Sequence, residues 1–163
     1  MRNLKTALFL WLIVGGVLAS ATAASGDNET AVRDMLLKNA AGFEGKDLKT
    51  LNQVWAQDEA VTFFENGHAN YGWADYRDHH LMPEMAEMNN TKYAITDIKP
   101  KIAGATAWAT FKYTISADLK EGHVEGSGLG TAVLERRSGR WQIVHWHTSS
   151  PRRQSTAPTP AKK

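Results

Sequence analysis

The sequence predicts an α+β fold in which helices early in the chain are covered by a sheet formed later. Apolar residues recur every three or four positions over 32–43 and again over 48–55, which indicates two amphipathic helices. After residue 60 the alternation changes to every second residue, as in half-buried strands. Helical segments followed by a run of strands favour layered α+β packing.

The two N-terminal helices have recognisable boundaries. Asp27 or Asn28 is suited to cap the first helix, because a short polar side chain can accept a hydrogen bond from the free N–H groups of the first turn. Gly45 is suited to end this helix. Asp47 is then expected to cap a second, shorter helix.

A hairpin and a third helix follow. Residues 60–65 (AVTFFE) are predicted to form a strand, and Asn66-Gly67 is one of the strongest hairpin signals. The chain returns over 69–71. Residues 72–87 are predicted to be helical, with Pro83 kinking or restarting the helix because it lacks an N–H group.

Longer strands complete the predicted sheet as an antiparallel meander. A strand over 93–98 leads through Lys99-Pro100 into the next one. The remaining strands are expected at 106–116, 123–136 and 140–149.

The two ends of the chain carry its excess positive charge. Residues 1–23 combine Arg2 and Lys5 with an apolar run over 7–18 and small residues, which predicts a secretory signal peptide. The alternative is an uncleaved N-terminal anchor. Residues 151–163 are predicted to be a disordered basic tail. We therefore expect a secreted or periplasmic protein with one domain over 27–150 and no stable membrane anchor after signal removal.

Composition excludes several classes of function. The formal net charge of +2 and the pI of about 8.9 come from those ends, since 13 basic and 17 acidic residues lie between them. A nucleic-acid partner is not expected for a mildly acidic domain. The chain has no cysteine, which excludes disulfides, a thiol nucleophile and a thiolate metal site.

The closing segment resembles a known family. Residues 130–151 (GTAVLERRSGRWQIVHWHTSSP), with the order of elements before them, resemble the nuclear transport factor 2-like superfamily, which includes SnoaL-like and ketosteroid-isomerase-like proteins. The same residues resemble the association (hub) domain of calcium/calmodulin-dependent protein kinase II. The resemblance implies a cystatin-like cone, in which a curved antiparallel sheet wraps round three N-terminal helices and leaves a pocket at its open end. Relatives use this pocket in isomerases, dehydratases and cyclases, as a ligand site, or only in an association module.

The resemblance also implies which side chains face the pocket. The hub arginines align with Lys112, Ala132 and Thr148, of which only Lys112 is positively charged. On this alignment Trp108 and Lys112 face inward from one strand, and Val144, Trp146 and Thr148 from the last. His145 and His147 would then face outward, unless a bulge reverses the strand. No residues of this sequence clearly correspond to the acidic base and the Tyr/Asp pair of ketosteroid isomerases.

Histidine and glutamate side chains are the predicted chemical groups. His80 is the preferred pocket candidate on the third helix, and Glu65 at the end of its strand is the candidate base. The alternatives are a buried, hydrogen-bonded histidine and a solvated glutamate. His145 and His147 are expected on one face of a strand. They are packing groups, acid/base groups or, together with His80, metal ligands; the sequence leaves these alternatives open. The predicted ligand-binding residues are Tyr71, Trp73, Tyr76, Trp108, Lys112, Trp146, His145 and His147.

The sequence thus predicts an exported SnoaL-like protein that holds a small, mostly apolar molecule in its cone. Proton transfer of the isomerase, dehydratase or cyclase type is the expected chemistry if the protein is an enzyme. The alternative is a non-catalytic dimerisation module. We expect a homodimer, and neither a cofactor nor a bound metal.

Overall fold

A computed structural model describes the backbone of residues 15–151 and the side chains of residues 26–151. Most of the predicted signal peptide (1–23) and nearly all of the predicted tail (151–163) lie outside this range, so both stay predictions. Among the described residues, no helix has the length and apolar character needed to cross a bilayer.

The first two helices form where the apolar periodicity predicts them, and they supply much of the core. Helix α1 (Gly15–Glu44) begins earlier than the predicted caps at Asp27 and Asn28. The alanine-rich segment before those residues has high helix propensity, so the helix continues through them. Helix α2 (Leu48–Val54) is capped as predicted, because the Asp47 carboxylate accepts the Thr50 N–H at 3.1 Å.

The third helical segment is continuous but unevenly wound. Helix α3 (Trp73–Tyr76), a π-helical turn (Arg77–Leu81) and helix α4 (Met82–Glu87) follow one another without a break. Pro83 lies just after the π-helical turn and provides no N–H to it. The helix therefore adjusts by wider winding instead of stopping.

Six strands form one curved sheet with the order β2-β1-β6-β5-β4-β3. The strands are β1 (Thr62–Glu65), β2 (His68–Tyr71), β3 (Asn89–Ala103), β4 (Thr106–Leu119), β5 (Gly122–Arg137) and β6 (Arg140–Ser149). All neighbours pair antiparallel except β1 and β6, which are parallel. This parallel pair was not predicted from the sequence.

Local backbone features shape the sheet. Asn66 and Gly67 have φ of 49° and 84°, which confirms the predicted hairpin. β3 runs unbroken through Pro100, which a strand at the edge of a sheet tolerates. Extra residues in β3, at Asn90 and Asp97 with positive φ, and in β6 at Val144 curve the sheet round the helices. The fold is the predicted α+β arrangement of three N-terminal helical segments and a curved sheet.

A glycine gives the inner face of the sheet room for an aromatic ring. A Cβ on Gly130 would lie well inside van der Waals contact of Phe111 Cε2 and Cζ. Phe111 cannot move away easily, because its ring is packed 4.6 Å from that of Trp146. The absence of a side chain at residue 130 therefore sets the position of the Phe111 ring.

We predict that Gly130→Ala lowers the free energy of unfolding by about 1–3 kcal/mol, the usual cost of overpacking a core. Urea unfolding followed by tryptophan fluorescence measures it. Gly126→Ala is the matched control on the same strand, since its Cβ would meet only the Ile115 Cγ2 methyl at 3.1 Å. Equal stability of the two variants would contradict the proposed constraint.

Candidate functional site

A cavity of about 250 Å³ lies between the helices and the inner face of the sheet. Seven of its twenty lining residues are aromatic: Phe43, Trp55, Phe63, Tyr76, Tyr93, Tyr113 and Trp146. The cavity opens to solvent beside Asn66, Glu125 and Ser150, which are exposed lining residues. Among its lining residues are also two partly buried carboxyl groups, Glu65 and Glu84.

Trp55 anchors the floor of the cavity. Its indole N–H donates to the Asn39 side-chain oxygen at 2.7 Å, and its ring stacks on that of Trp73 with 5.3 Å between centroids. Trp73 lies behind this floor and is not among the lining residues. Its indole N–H donates to the Asn52 side chain at 2.8 Å. Of the predicted ligand-binding residues, Trp73 therefore supports the wall from outside.

Glu65 is positioned by the parallel pairing of β1 and β6. The register places Glu65 beside Thr148, and the Thr148 hydroxyl donates to Glu65 Oε1 at 3.2 Å. The carboxyl group is thereby held at the end of β1, where its side chain lines the cavity. The sequence predicted the residue, but not the neighbour that fixes it.

His80 contacts Glu65 from the third helical segment. Its Nε2 lies 3.7 Å from Glu65 Oε2, while the ring packs edge-on against Phe63 and Tyr76. His80 is not itself a lining residue of the cavity. The two predicted catalytic residues are therefore brought together. Glu65 lines the cavity, and His80 contacts Glu65 without lining the cavity itself.

The protonated nitrogen of His80 follows from a chain of hydrogen bonds. Asn70 Nδ2 donates to Asp75 Oδ2 at 2.9 Å, so Asn70 Oδ1 is turned toward His80 Nδ1 at 2.8 Å. This bond lowers the pKa of the Asp75 carboxyl, which stays an acceptor. Nδ1 must then donate its proton to Asn70, and in a neutral imidazole Nε2 presents a lone pair to Glu65.

Glu84 is the residue of the site that sequence reasoning missed. It lines the cavity from α4, four residues after His80 on a continuous helix. Burial raises the pKa of Glu84 from 4.5 to about 7, with smaller contributions from the Glu65 and Glu87 carboxylates. The His-x-x-x-Glu spacing was a usable signal, but the expected break at Pro83 separated the two residues.

Glu65, His80 and Glu84 offer one ligand atom each within 4.8 Å of one another, a set with the composition of a metal site. A site that combines His80 with His145 and His147 is wrong, because those two side chains lie on the opposite face of the sheet. Their strand pairs with the outward-facing Thr62 and Phe64.

The structure also corrects the orientation of β4. Trp108 and Lys112 were expected to face inward, but Trp108 is 44% exposed and Lys112 reaches Asp97 on the outer face. The inward residues are their neighbours Ala107, Ala109, Phe111 and Tyr113. A shift of one residue in an alignment moves every side chain of a strand to the other face.

On β6 the expected alternation is correct for Trp146 and Thr148 but wrong for Val144, because the bulge at Val144 turns Ile143 inward in its place. The prediction of His145 and His147 as ligand-binding residues of the cavity is also wrong. Trp146 and Thr148 line the cavity, whereas His145 and His147 lie outside. His145 Nδ1 is 2.7 Å from the Thr62 hydroxyl oxygen, and burial, with His147 nearby, lowers the pKa of His145. Of the remaining predicted ligand-binding residues, Tyr76 lines the cavity and Tyr71 is 66% exposed on β2.

The raised pKa of Glu84 has a consequence for stability. The folded state holds this proton up to about pH 7, whereas the unfolded chain releases it near pH 4.5. Stability is therefore lost as the pH rises through that interval. Glu84→Gln should raise the free energy of unfolding at pH 8 by up to about 3 kcal/mol and leave it nearly unchanged at pH 4.

Urea unfolding of both proteins at pH 4, 6 and 8 measures this difference. Glu87→Gln is the matched control, because Glu87 is exposed on the same helix. Its effect should stay within about 0.5 kcal/mol at each pH. A stability difference for Glu84→Gln that does not grow with pH would contradict the assignment.

Comparison with known proteins agrees with this fold. A nuclear transport factor 2-like protein of Salmonella enterica serovar Typhimurium LT2 superposes with a TM-score of 0.73 at 15% identity, over 85% of this chain and 99% of the other. A protein of Shewanella frigidimarina, provisionally named a ketosteroid isomerase, gives 0.63 at 22% identity, over 71% and 92%. The calcium/calmodulin-dependent protein kinase II hub of S. rosetta gives 0.60 at 19% identity, over 75% and 95%.

These likenesses confirm the predicted fold, and at such identities they concern the fold alone. No curated protein matches the chain in sequence. The family model described as the SnoaL-like domain matches residues 32–153. Since this is well over half of its length, the chain belongs to the SnoaL-like domain family.

Proposed function

We propose that the chain is an exported SnoaL-like protein whose cavity binds a small, mostly apolar molecule and catalyses proton transfer on it. The observation that carries the proposal is the meeting of two carboxyl groups, Glu65 and Glu84, in one aromatic-walled cavity. The reaction class is that of isomerases, dehydratases and cyclases. Export rests on the signal-like residues 1–23.

The cavity has the attributes of a small-molecule site. Its walls combine aromatic and aliphatic side chains with polar groups that can orient a ligand. Its volume of about 250 Å³ is just below the range of about 300–1,000 Å³ usual for ligand pockets. The ligand is accordingly small, and it enters beside the exposed Glu125 and Ser150.

Glu65 is suited to accept a proton from a bound molecule. In the carboxylate form it takes a proton from carbon or oxygen, and the electron pair of the broken bond stays on the ligand. The Thr148 hydroxyl fixes one carboxylate oxygen, and the His80 ring lies 3.7 Å from the other. His80 then acts through Glu65, as a positioning residue.

Glu84 is suited to return a proton at a second atom of the ligand. A group with a pKa of about 7 is present in both protonation states near neutral pH, which is the best condition for a general acid or base. Glu65 and Glu84 approach the cavity from different elements, β1 and α4. A proton removed at one position and delivered at another shifts a double bond or expels a leaving group.

The isomerisation of cyclohex-3-enone to its conjugated isomer, followed by ultraviolet absorbance, tests this chemistry on a small neutral probe. We expect Glu65→Gln to lower the rate above the buffer reaction by at least about 100-fold, the usual contribution of a general base. Glu121→Gln, an exposed turn residue, should retain the rate. No catalysis above buffer by the unaltered protein, or full activity of Glu65→Gln, would contradict the proposal.

A second candidate function is association into a homodimer through the outer face of the sheet. Trp108, Val133, His145, Thr62 and Tyr71 lie side by side across five strands in one row on this face. Two rows further along the same face, beside Lys112, Leu129 is 61% exposed. A large apolar area on a monomer surface favours contact with another protein, and a symmetric dimer is the commonest arrangement.

Sedimentation velocity at micromolar concentration tests the dimer. We expect a dimer that Trp108→Glu converts to monomer, because the new carboxylate would be buried without a partner in the interface. Thr114→Glu introduces the same charge at an exposed position further along β4 and should leave the dimer intact. A monomeric unaltered protein would exclude this association.

A further inference from the structure

We infer that the ligand of this cavity is a small organic cation, an amine or quaternary ammonium group attached to an apolar body. This inference rests on the proposed function, in that the cavity is taken to be a binding site. It adds the chemical class of the ligand, which follows from the charges and the ring faces of the cavity wall.

The cavity wall is negatively charged. Two partly buried lining residues, Glu65 and Glu84, carry carboxyl groups, whereas no lysine, arginine or histidine is among the described lining residues. A third lining glutamate, Glu125, is exposed at the opening and lies 3.6 Å from His123 Nε2. Within residues 26–151, Glu84 forms no ion pair, and the one basic group near Glu65 is the His80 imidazole, 3.7 Å away and outside the lining. A ligand with a positive charge would provide the counter-charge that these carboxylates lack within the lining.

Burial makes the ionised carboxyl groups energetically unfavourable in the absence of a positive charge beside them. Glu84 is partly buried on α4 and has a carboxyl oxygen within 4.8 Å of one of Glu65, with Glu87 on its own helix and the Tyr76 and Tyr93 rings nearby. Charges interact more strongly where water is excluded. A cation bound between the two carboxylates would therefore stabilise their ionised forms.

The aromatic walls suit the same ligand. Phe63 and Tyr76 stack with centroids 3.9 Å apart, and Tyr93 and Tyr113 lie together with centroids 6.1 Å apart. Burial raises the pKa of Tyr76 and of Tyr93, so these rings stay neutral. The faces of such rings are electron-rich and attract ammonium groups within about 6 Å.

Other ligand classes fit the wall less well. A carboxylate or phosphate would face Glu65 and Glu84 without a cationic partner, since Lys112 lies on the outer face of the sheet. A neutral apolar molecule would pack against the rings but leave the carboxylates uncompensated. A bare metal ion would use the carboxylates and leave the rings without a role.

Three probes of similar size and different charge test the inference: benzyltrimethylammonium, benzyl alcohol and benzoate. Titration calorimetry at pH 8 measures their dissociation constants for the full chain. We expect the ammonium compound to bind at least tenfold more tightly than the alcohol, and benzoate most weakly. Binding of the ammonium compound should weaken as salt screens the carboxylates.

Substitutions connect the preference to the cavity. Glu65→Gln and Glu84→Gln should each weaken ammonium binding by about tenfold and leave benzyl alcohol binding unchanged. Glu87→Gln removes the same charge from an exposed position on α4 and should retain the ammonium affinity. Thermal unfolding of each variant confirms that the fold is kept.

The outcomes separate the ligand class from the proposed function. Equal binding of the alcohol and the ammonium compound, or preference for benzoate, would overturn the cationic ligand and leave a binding cavity. Binding of Zn²⁺ that needs Glu65 and Glu84, without any ammonium binding, would also overturn it. If none of the three probes binds at millimolar concentration, both the ligand class and the binding function fail.

Discussion

The buried indole of Trp55 holds the two layers of this fold together. Its ring is 1% exposed and lies within 6.3 Å, between centroids, of four other aromatic rings on α3, β1 and β6. Its N–H bonds to Asn39 on α1, and its backbone bridges to Ile143 on β6. Because one side chain touches both helices and sheet, its position decides how far apart the layers stand. The cavity is the space that this spacing leaves open.

The parallel pairing of β1 with β6 determines which side chains of β1 line the cavity. β1 is four residues long, yet its register with β6 places Phe63 beside Trp146 and Glu65 beside Thr148 on the inner face. A slip of β1 by one residue would place Phe64 inside, beside Trp146 or Thr148, and remove the Glu65 carboxylate from the cavity. The buried aromatic residues of this face oppose such a slip. The packing that stabilises the fold thus also positions the candidate base.

The sequence predicts the local elements well because their signals are local. The Asn66-Gly67 hairpin, the Asp47 cap and the alternation of β6 from His145 to Thr148 all depend on neighbouring residues and are confirmed. The parallel β1–β6 pair joins residues more than 80 positions apart and leaves no periodic signal. Glu84 escaped notice because a kink or restart was expected at Pro83, whereas the helix continues through a π-helical turn and keeps Glu84 on the same helix as His80. The predicted orientation of β4 was wrong because an alignment to a distant relative can place a strand one residue out of register.

The electrostatics of the cavity differ from those that stability alone would favour. Partly buried carboxyl groups that lie close together destabilise a folded chain once they ionise, and several other carboxylates of this protein are paired with lysine or arginine. Glu44 is bound by Lys92, and Asp58 and Glu135 by Arg137. Glu65 and Glu84 depart from that pattern where the walls are aromatic and a free volume remains. This destabilisation disappears when a proton or a cationic ligand neutralises the charge. In the function proposed above, the same two carboxyl groups link stability, proton transfer and ligand choice, so that a substitution that changes one of these properties should change the others.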